Sequence, residues 1–253
     1  MTTTTTTSVD AGDVLVVVAR PARSAWLEAV LDDTERDRAA RLGCDDDRRR
    51  FVTGHALTRL VLAEATGLPA TALTFHAQCP RCGGRHGKPR LAAAPEVHFS
   101  ATRAADRVAV AVTRLGPVGV DLEPARAAGF PGFADVALTA NERTAFERMP
   151  LEQRAGAATI WWVRKEAVLK ARGDGMYMSP DELEITGPAE VPRLIAWNGD
   201  EKPTVPMHLV DLGLGPDYVG CLAVLTDRVP RFRLTDGTDL LAAGAGQPRR
   251  AIR

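Results

Sequence analysis

The sequence predicts an α+β fold. Short Val-rich runs have the length and composition of buried strands, and two longer stretches have the apolar spacing of helices. These elements do not follow the regular strand–helix–strand alternation of a doubly wound parallel sheet. The 253 residues suffice for one large or two modest units with a sizeable core.

Three elements are predicted in the first quarter of the chain. The apolar run VLVVVAR at 14–20 is typical of a buried strand. Residues 24–42 predict a helix with Ser24 at its N-cap. A second helix is predicted over 47–66 and ends at Gly67, because glycine readily adopts the left-handed conformation of a C-cap.

The middle of the chain predicts a loop followed by three strands. Residues 77–92 are rich in Gly, Pro and Cys and predict the loop. The runs at 97–101 and 107–113 predict a hairpin, and 118–123 a third strand.

The last part of the chain predicts two helices and three strands. Thr139 begins a capping box whose fourth residue is Glu142. The longest helix is predicted over 151–172 and stops at Gly173. The strands are predicted at 205–211, 218–226 and 231–235.

Composition and charge indicate which partners and which location the sequence predicts. Lys plus Arg and Asp plus Glu each number 32, so net charge predicts neither a nucleic-acid nor a membrane partner. No run approaches the ~18 apolar residues that span a bilayer, and the N-terminus lacks the features of a signal peptide. We therefore expect a cytoplasmic protein, with a disordered leader at 1–12 and a flexible tail at 237–253.

The strand 118–123 ends in two carboxylates. Asp121 and Glu123 are two residues apart, so their side chains share one face of the strand. Two like charges in this position repel unless a cation or basic side chains lie beside them.

The helix 151–172 carries a matching set of charges. Trp162, Glu166 and Lys170 recur every four residues and form one stripe, which Lys165 borders. Glu166 and Lys170 alone could be an ordinary surface ion pair. The apolar neighbours indicate a mostly buried helix, however, where charges need specific partners.

Together the two segments predict a cation site that holds phosphate. Carboxylate oxygens are the ligands that Mg²⁺ prefers, and lysines nearby can bind further phosphate oxygens. The chemistry that this set of residues favours is phosphoryl-type transfer, in which positioning and charge neutralisation do most of the work.

Both segments resemble motifs of the 4′-phosphopantetheinyl transferases. GVDLEP resembles G-[IV]-D-[ILV]-E, and WWVRKEAVLKARGDG resembles W-x-x-K-E-[AS]-x-x-K-x-x-G, about forty residues further on. Three further features are similar to those of the surfactin-synthetase-activating (Sfp-like) group: the chain length, an early arginine-containing helix and the GKPRL stretch. The holo-acyl-carrier-protein synthase group is about half as long. The resemblance extends over residues 36–186.

This resemblance implies a holo-[carrier-protein] synthase type of enzyme. It would move the 4′-phosphopantetheine arm from coenzyme A to a serine of an apo acyl, peptidyl or aryl carrier protein, and release 3′,5′-ADP. Such enzymes serve polyketide, nonribosomal peptide and siderophore biosynthesis, and use Mg²⁺ with Mn²⁺ as an alternative. The implied fold is a monomer with two similar halves, 13–115 and 116–236, related by a pseudo-twofold axis.

The resemblance also implies roles for individual residues. Asp121, Glu123 and Glu166 correspond to metal ligands, and Glu166 also to the group that deprotonates the serine, directly or through water. Lys165 and the catalytic Lys170 correspond to contacts with the pyrophosphate of coenzyme A. Three further positions correspond to its nucleotide end: Arg50, Lys88 and Pro89, with Arg38 as an additional basic residue.

One position departs from the family pattern. The slot for S-H-[ST], whose histidine contacts the 3′-phosphate, reads Thr102-Arg103-Ala104. Arginine is a permanent cation with a forked donor set suited to phosphate, so we expect Thr102 and Arg103 to bind the cofactor. The alternative is a non-catalytic or coenzyme-A-binding relative that acts as a partner protein.

The loop HAQCPRCGGRHGKP leaves three interpretations open. His76, Cys79, Cys82 and His86 could bind zinc, or the two cysteines could form a redox-sensitive pair. The preferred interpretation is a loop that shapes the coenzyme pocket. Cys44 and Cys221 are interpreted as buried thiols.

A docking surface for the acidic carrier protein is predicted after the GVDLEP strand. Arg126 and two exposed phenylalanines, Phe130 and Phe133, would form it. The alternative is that both phenylalanines pack the loop.

Overall fold

A computed structural model describes residues 12–79, 82–173, 178–199 and 202–242. The predicted α+β class is confirmed, because helices and mainly antiparallel strands are interspersed along the chain. The helices described are Ala25–Val30 (α1), Asp33–Ala40 (α2), Asp45–Thr66 (α3), Phe133–Ala137 (α4), Ala140–Glu147 (α5), Leu151–Arg172 (α6) and Thr238–Ala242 (α7). The strands described are Asp13–Ala19 (β1), Phe75–His76 (β2), Arg90–Leu91 (β3), His98–Ala104 (β4), Arg107–Thr113 (β5), Val118–Pro124 (β6), Leu183–Ile185 (β7), Leu194–Trp197 (β8), Met207–Asp211 (β9), Tyr218–Leu225 (β10) and Arg231–Asp236 (β11).

Two sheets pack face to face in the middle of the protein. One has the order β11-β1-β5-β4 and the other β6-β10-β9. A buried cluster of valines and other apolar residues from β1, β5, β6 and β10 lies between them. The N–H of Val120 on β6 also donates to Ser100 Oγ on β4 (3.2 Å). The strand β6 is thereby fixed beside β4, across the junction between the two halves of the chain.

A long helix covers each sheet. The helix α3 packs its apolar face on the first sheet, and α6 packs on β6 and β10 of the second. Each helix has 22 residues and one fully buried arginine, Arg59 in α3 and Arg164 in α6. Both guanidinium groups pair with carboxylates and with loop carbonyls. These shared features are consistent with two similar halves, and their pseudo-twofold relation stays a prediction.

The predicted helix 24–42 is two helices. Asp32 accepts a hydrogen bond from the N–H of Glu35 (2.8 Å), and Glu35 accepts one from the N–H of Asp32 (3.0 Å). This capping box starts α2 and ends the continuity with α1, because the Asp side chain competes for backbone donors. Ser24 does occupy the N-cap position of α1, but its side chain makes no capping hydrogen bond.

Most other predicted helix ends are confirmed. Gly67 and Gly173 are left-handed C-caps, with φ of 75° and 90°. Thr139 and Glu142 form the predicted capping box. The helix α6 has its predicted bounds, so the stripe of charges lies on one continuous helix.

The C-terminal part differs from the prediction. Residues 238–242, assigned to a flexible tail, form α7, because Leu240 and Leu241 are buried in the core beside α3. The strand β11, assigned to the second half, pairs in parallel with β1 of the first sheet. Residues 243–253 and the predicted disordered leader, apart from Gly12, lie outside the described residues. No helix in the described ranges is long and apolar enough to span a bilayer.

Candidate active site

The strand β6 and the helix α6 touch at Gly119, the first residue of GVDLEP. A Cβ atom at this position would lie 2.0 Å from the carbonyl oxygen of Ala167 and 2.3 Å from the backbone nitrogen of Ala171. Only glycine allows the two backbones to approach this closely. The close approach brings the carboxylates of β6 next to the charged stripe of α6.

Asp121 is the centre of the resulting site. Its side chain is buried, and its Oδ1 atom accepts hydrogen bonds from Lys170 Nζ (2.6 Å) and Thr102 Oγ1 (2.9 Å). Lys170 also donates to Thr102 Oγ1 (3.3 Å). Residues from β4, β6 and α6 therefore meet here, at the junction of the two halves.

The other oxygen of Asp121 fits a cation. Asp121 Oδ2 is buried and has no hydrogen-bond partner, an arrangement that costs free energy unless a positive group binds there. Burial, and then the charge of Asp121, raises the pKa of both Glu123 and Glu166, and Lys170 opposes both shifts. Crowded oxygen ligands of this kind are the donor set that Mg²⁺ prefers.

The carboxylate oxygens of Asp121, Glu123 and Glu166 do not surround a single point. In the described part of the chain, their oxygens are not among the groups of ligand atoms that all lie within 4.8 Å of one another. Lys170 instead neutralises Asp121.

Lys165 is not at this site, which contradicts its predicted contact with pyrophosphate. It is fully buried and donates to Glu142 Oε2 (2.5 Å) and to the carbonyls of Ala137 (2.6 Å) and Pro180 (3.0 Å). Adjacent helix positions point about 100° apart, so Lys165 faces α4 and α5 while Glu166 faces β6. Its role is to hold these helices to α6.

Lys165→Met is expected to lower the free energy of unfolding by about 3–5 kcal/mol, because it leaves Glu142 buried without its cation. Urea denaturation of the purified variants measures this change. Lys202→Met, at an exposed lysine, is the matched control and should unfold like the wild type. Equal stability of the two variants would show that the buried pair contributes nothing.

The ammonium group of Lys88 is bound by backbone carbonyls, contrary to its predicted contact with the nucleotide end of coenzyme A. Its ammonium group donates to the carbonyls of Val118 (2.7 Å), Lys170 (2.7 Å) and Ala171 (2.9 Å). Burial, and then the charge of Arg90, lowers the pKa of Lys88 to about 7. The three carbonyls and the C-terminus of α6 favour the charged form. Lys88 thus ties the end of α6 to β6.

The remaining predicted cofactor residues divide into three groups. Thr102 orients Asp121 and Lys170, a role that its position next to Arg103 did not indicate. Pro89 is exposed, and nothing in the structure assigns it a contact. Arg50 and Arg103 lie together with Arg38. Burial, and then the charges of Arg38 and Arg50, lowers the pKa of Arg103.

The arginine cluster has the properties of an anion site. The Arg103 guanidinium lies 5.5 Å from the centre of the Phe51 ring, and Arg50 pairs with Asp47 and donates to the carbonyl of Ala105 (3.2 Å). Three guanidinium groups in mutual repulsion are stabilised when an anion such as phosphate binds among them.

The predicted docking surface is only partly exposed. Phe130 is 47% exposed, whereas Phe133 is 3% exposed. Phe133 packs edge-on against Trp162, with ring centres 6.3 Å apart, and supports α6. The expectation that Phe133 is exposed is therefore wrong, and Trp162 is a packing residue.

The comparison with protein families agrees with the motifs. Residues 117–223, which include GVDLEP and all of α6, match the model of the 4′-phosphopantetheinyl transferase superfamily. This region of the chain is therefore similar to the 4′-phosphopantetheinyl transferase superfamily. The matched region covers β6, α6 and most of β10, so the candidate cation site lies inside it.

Curated relatives are similar to a larger part of the chain. A 4′-phosphopantetheinyl transferase of Bacillus subtilis is 25% identical over 62% of this chain. The match spans just under two thirds of that protein, 66% of its length. The 4′-phosphopantetheinyl transferase HetI of Nostoc sp. is 29% identical over 68% of this chain and 73% of its own length.

A solved structure is also similar to part of the chain. The holo-ACP-synthase from Plasmodium yoelii is 20% identical, and the match covers 43% of this chain and 91% of that one, with a TM-score of 0.36. A TM-score of this size does not establish a common fold. The α+β class rests on the strands and helices described above.

Proposed function

We propose that the chain transfers the 4′-phosphopantetheine arm of coenzyme A to a serine of an apo carrier protein, and releases 3′,5′-ADP. The observation that carries this proposal is the unpartnered, buried Oδ2 atom of Asp121 beside Glu123, Glu166 and Lys170. We assign the chain to the Sfp-like group, because β1 to β5 precede the region that matches the superfamily and β4 supplies Thr102 to the site.

Asp121, Glu123 and Glu166 would hold Mg²⁺, with Mn²⁺ as the alternative ion. The bound ion would supply positive charge to the pyrophosphate oxygens, which favours departure of 3′,5′-ADP. Lys170 would move from Asp121 to the same phosphate oxygens. Glu166, whose pKa is raised by burial and by Asp121, would accept the proton of the carrier serine, directly or through water.

The arginine cluster of Arg38, Arg50 and Arg103 would bind the 3′-phosphate of coenzyme A. Arg103 replaces the histidine of the family motif and remains charged at every physiological pH. Binding the phosphate would relieve the repulsion that lowers the pKa of Arg103.

Arg103→Ala is expected to weaken coenzyme A binding about 10- to 100-fold, the loss of one or two charge-assisted hydrogen bonds. Calorimetry with coenzyme A and with 3′-dephospho-coenzyme A measures this loss. The dephosphorylated ligand should bind the variant and the wild type equally. An equal loss for both ligands, or no loss for either, would remove this role from Arg103. Arg114→Ala, at an arginine paired with Glu96 instead, is the control.

The second candidate function is a coenzyme-A-binding partner protein without catalysis. It is favoured by the ion pair between Lys170 and Asp121, which occupies the site. Incubation with coenzyme A, Mg²⁺ and several apo carrier proteins separates the two functions. A carrier mass increased by one phosphopantetheine arm supports the enzyme. Unmodified carriers, together with measurable coenzyme A binding, support the partner protein.

A further inference from the structure

Three side chains with sulfur and nitrogen ligand atoms converge in the loop between β2 and β3. Cys79 Sγ, Cys82 Sγ and a ring nitrogen of His86 all lie within 4.8 Å of one another. The closest pair is Cys82 Sγ and His86 Nε2, at 2.9 Å. Cys79 is buried, Cys82 and His86 are exposed, and neither cysteine is in a disulfide.

The backbone of the loop closes tightly around these atoms. The N–H of Gly83 donates to the carbonyl of Cys79 (2.9 Å), and the N–H of Cys79 donates to the carbonyl of Gly84 (2.7 Å). Gly83 has a φ of 73°, which favours glycine. The N–H of Gly84 also donates to Cys82 Sγ (3.4 Å). A donor aimed at sulfur stabilises the thiolate form, as outer-shell groups of metal sites do.

Two glycines leave the space in which the three ligand side chains come together. A Cβ atom at Gly84 would lie 3.0 Å from His86 Cδ2 and 3.4 Å from Cys82 Sγ, between the two ligands. A Cβ atom at Gly87 would lie 2.4 Å from the carbonyl oxygen of Gln78. The glycines thus allow the imidazole to reach the sulfur and the loop to close behind it.

We propose that Cys79, Cys82 and His86 bind a Zn²⁺ ion, with water at the fourth position. Two thiolates and one imidazole are ligands of zinc, whereas Mg²⁺ takes oxygen ligands, so this site is distinct from the carboxylate site. Binding transfers the two thiol protons to solvent and leaves the oxidation state of sulfur unchanged. The exposed position of Cys82 and His86 gives the ion and the water a path from solvent.

The bound zinc would hold the loop in place beside α6. Lys88 follows His86 by two residues, and its ammonium group holds the carbonyls of Val118, Lys170 and Ala171. The stem of Lys88 passes the C-cap of α6, since a Cβ atom at Gly173 would lie 3.1 Å from Lys88 Cδ. Fixing the loop with zinc would therefore fix the end of α6 that carries Lys170.

Metal titration of the reduced, metal-free, full-length chain tests this proposal. Co²⁺ should produce thiolate-to-cobalt charge-transfer absorption, and Zn²⁺ should displace it at one ion per chain. Cys82→Ser and His86→Ala, both at exposed positions, each remove a direct zinc ligand. Their loss of Zn²⁺ affinity should therefore exceed the loss of about 10- to 100-fold that follows removal of an outer-shell group. Gly84→Ala should weaken binding although all three ligands remain.

Two controls separate this site from the rest of the chain. Cys44→Ser removes another exposed thiol, and Asp121→Asn removes a carboxylate of the other site, so both should bind Zn²⁺ like the wild type. The proposal is overturned if the reduced wild type shows no cobalt–thiolate absorption, or if Cys82→Ser and His86→Ala bind Zn²⁺ with unchanged affinity. The result is independent of transfer activity.

Discussion

Asp121→Asn should reduce carrier modification at least about 10²- to 10³-fold, the cost of removing one preorganised charge contact from a reacting centre. The amide keeps the size of the side chain, but it lacks the negative charge that a cation would bind through the buried Oδ2 atom. It also weakens the ion pair that positions Lys170 (2.6 Å). The measurement is kcat/KM for an apo carrier protein at saturating Mg²⁺.

The control for Asp121→Asn is Asp227→Asn, at an exposed aspartate. It should retain full activity. Both variants should be checked for folding by circular dichroism, since Asp121 is buried. A folded Asp121→Asn variant with near wild-type kcat/KM would exclude Asp121 from the reaction.

Gly119→Ala is expected to destabilise the protein by about 1–3 kcal/mol or more, the usual cost of overpacking a filled core. The new methyl group would lie 2.0 Å from the carbonyl oxygen of Ala167, and backbone atoms cannot rotate away as a side chain can. We expect α6 to move off β6, which separates Lys170 and Glu166 from Asp121. Both the free energy of unfolding and the rate of carrier modification should therefore fall.

Gly43→Ala is the matched control for Gly119→Ala. No atom lies within 4 Å of a Cβ placed at Gly43, so alanine there should be neutral or stabilising by up to about 1 kcal/mol. If Gly119→Ala unfolds at the same urea concentration as Gly43→Ala, the close contact between β6 and α6 is not required.

The predictions that held depend on local rules. The capping box at Thr139 and the left-handed glycines at positions 67 and 173 act within a few residues, and the helix and strand periods are local too. The same holds for Asp121 and Glu123, whose spacing alone puts them on one face. That Glu166 lies near them was predicted from the matching charges of the two segments, and the physical cause of this proximity at Gly119 is visible only in the packed structure.

The predictions that failed depend on tertiary contacts. Lys165 and Lys170 both lie on α6, and the sequence does not say which side of the helix meets α5 and which meets β6. Lys88 reaches carbonyls 30 and 82 residues away along the chain. The pairing of β11 with β1 joins the two ends of the described chain. Glu142, expected only to cap α5, also neutralises Lys165.

One signal in the sequence could have predicted the place of Lys165. Its neighbours Val163, Val168 and Leu169 are apolar, and a lysine among them must find a buried carboxylate. Glu142, which is also part of a capping box, is that carboxylate. Cys44 was also misjudged: it is exposed at the N-cap of α3, whereas Cys221 is buried as expected.

We propose that β6 and α6 build one divalent-cation site from Asp121, Glu123 and Glu166. Electron paramagnetic resonance of Mn²⁺, titrated into the chain with coenzyme A present, tests it most directly. The wild type should bind one Mn²⁺ that Mg²⁺ displaces, and Asp121→Asn and Glu166→Gln should each lose this binding while His86→Ala keeps it. Unchanged Mn²⁺ binding in both carboxylate variants would contradict the claim.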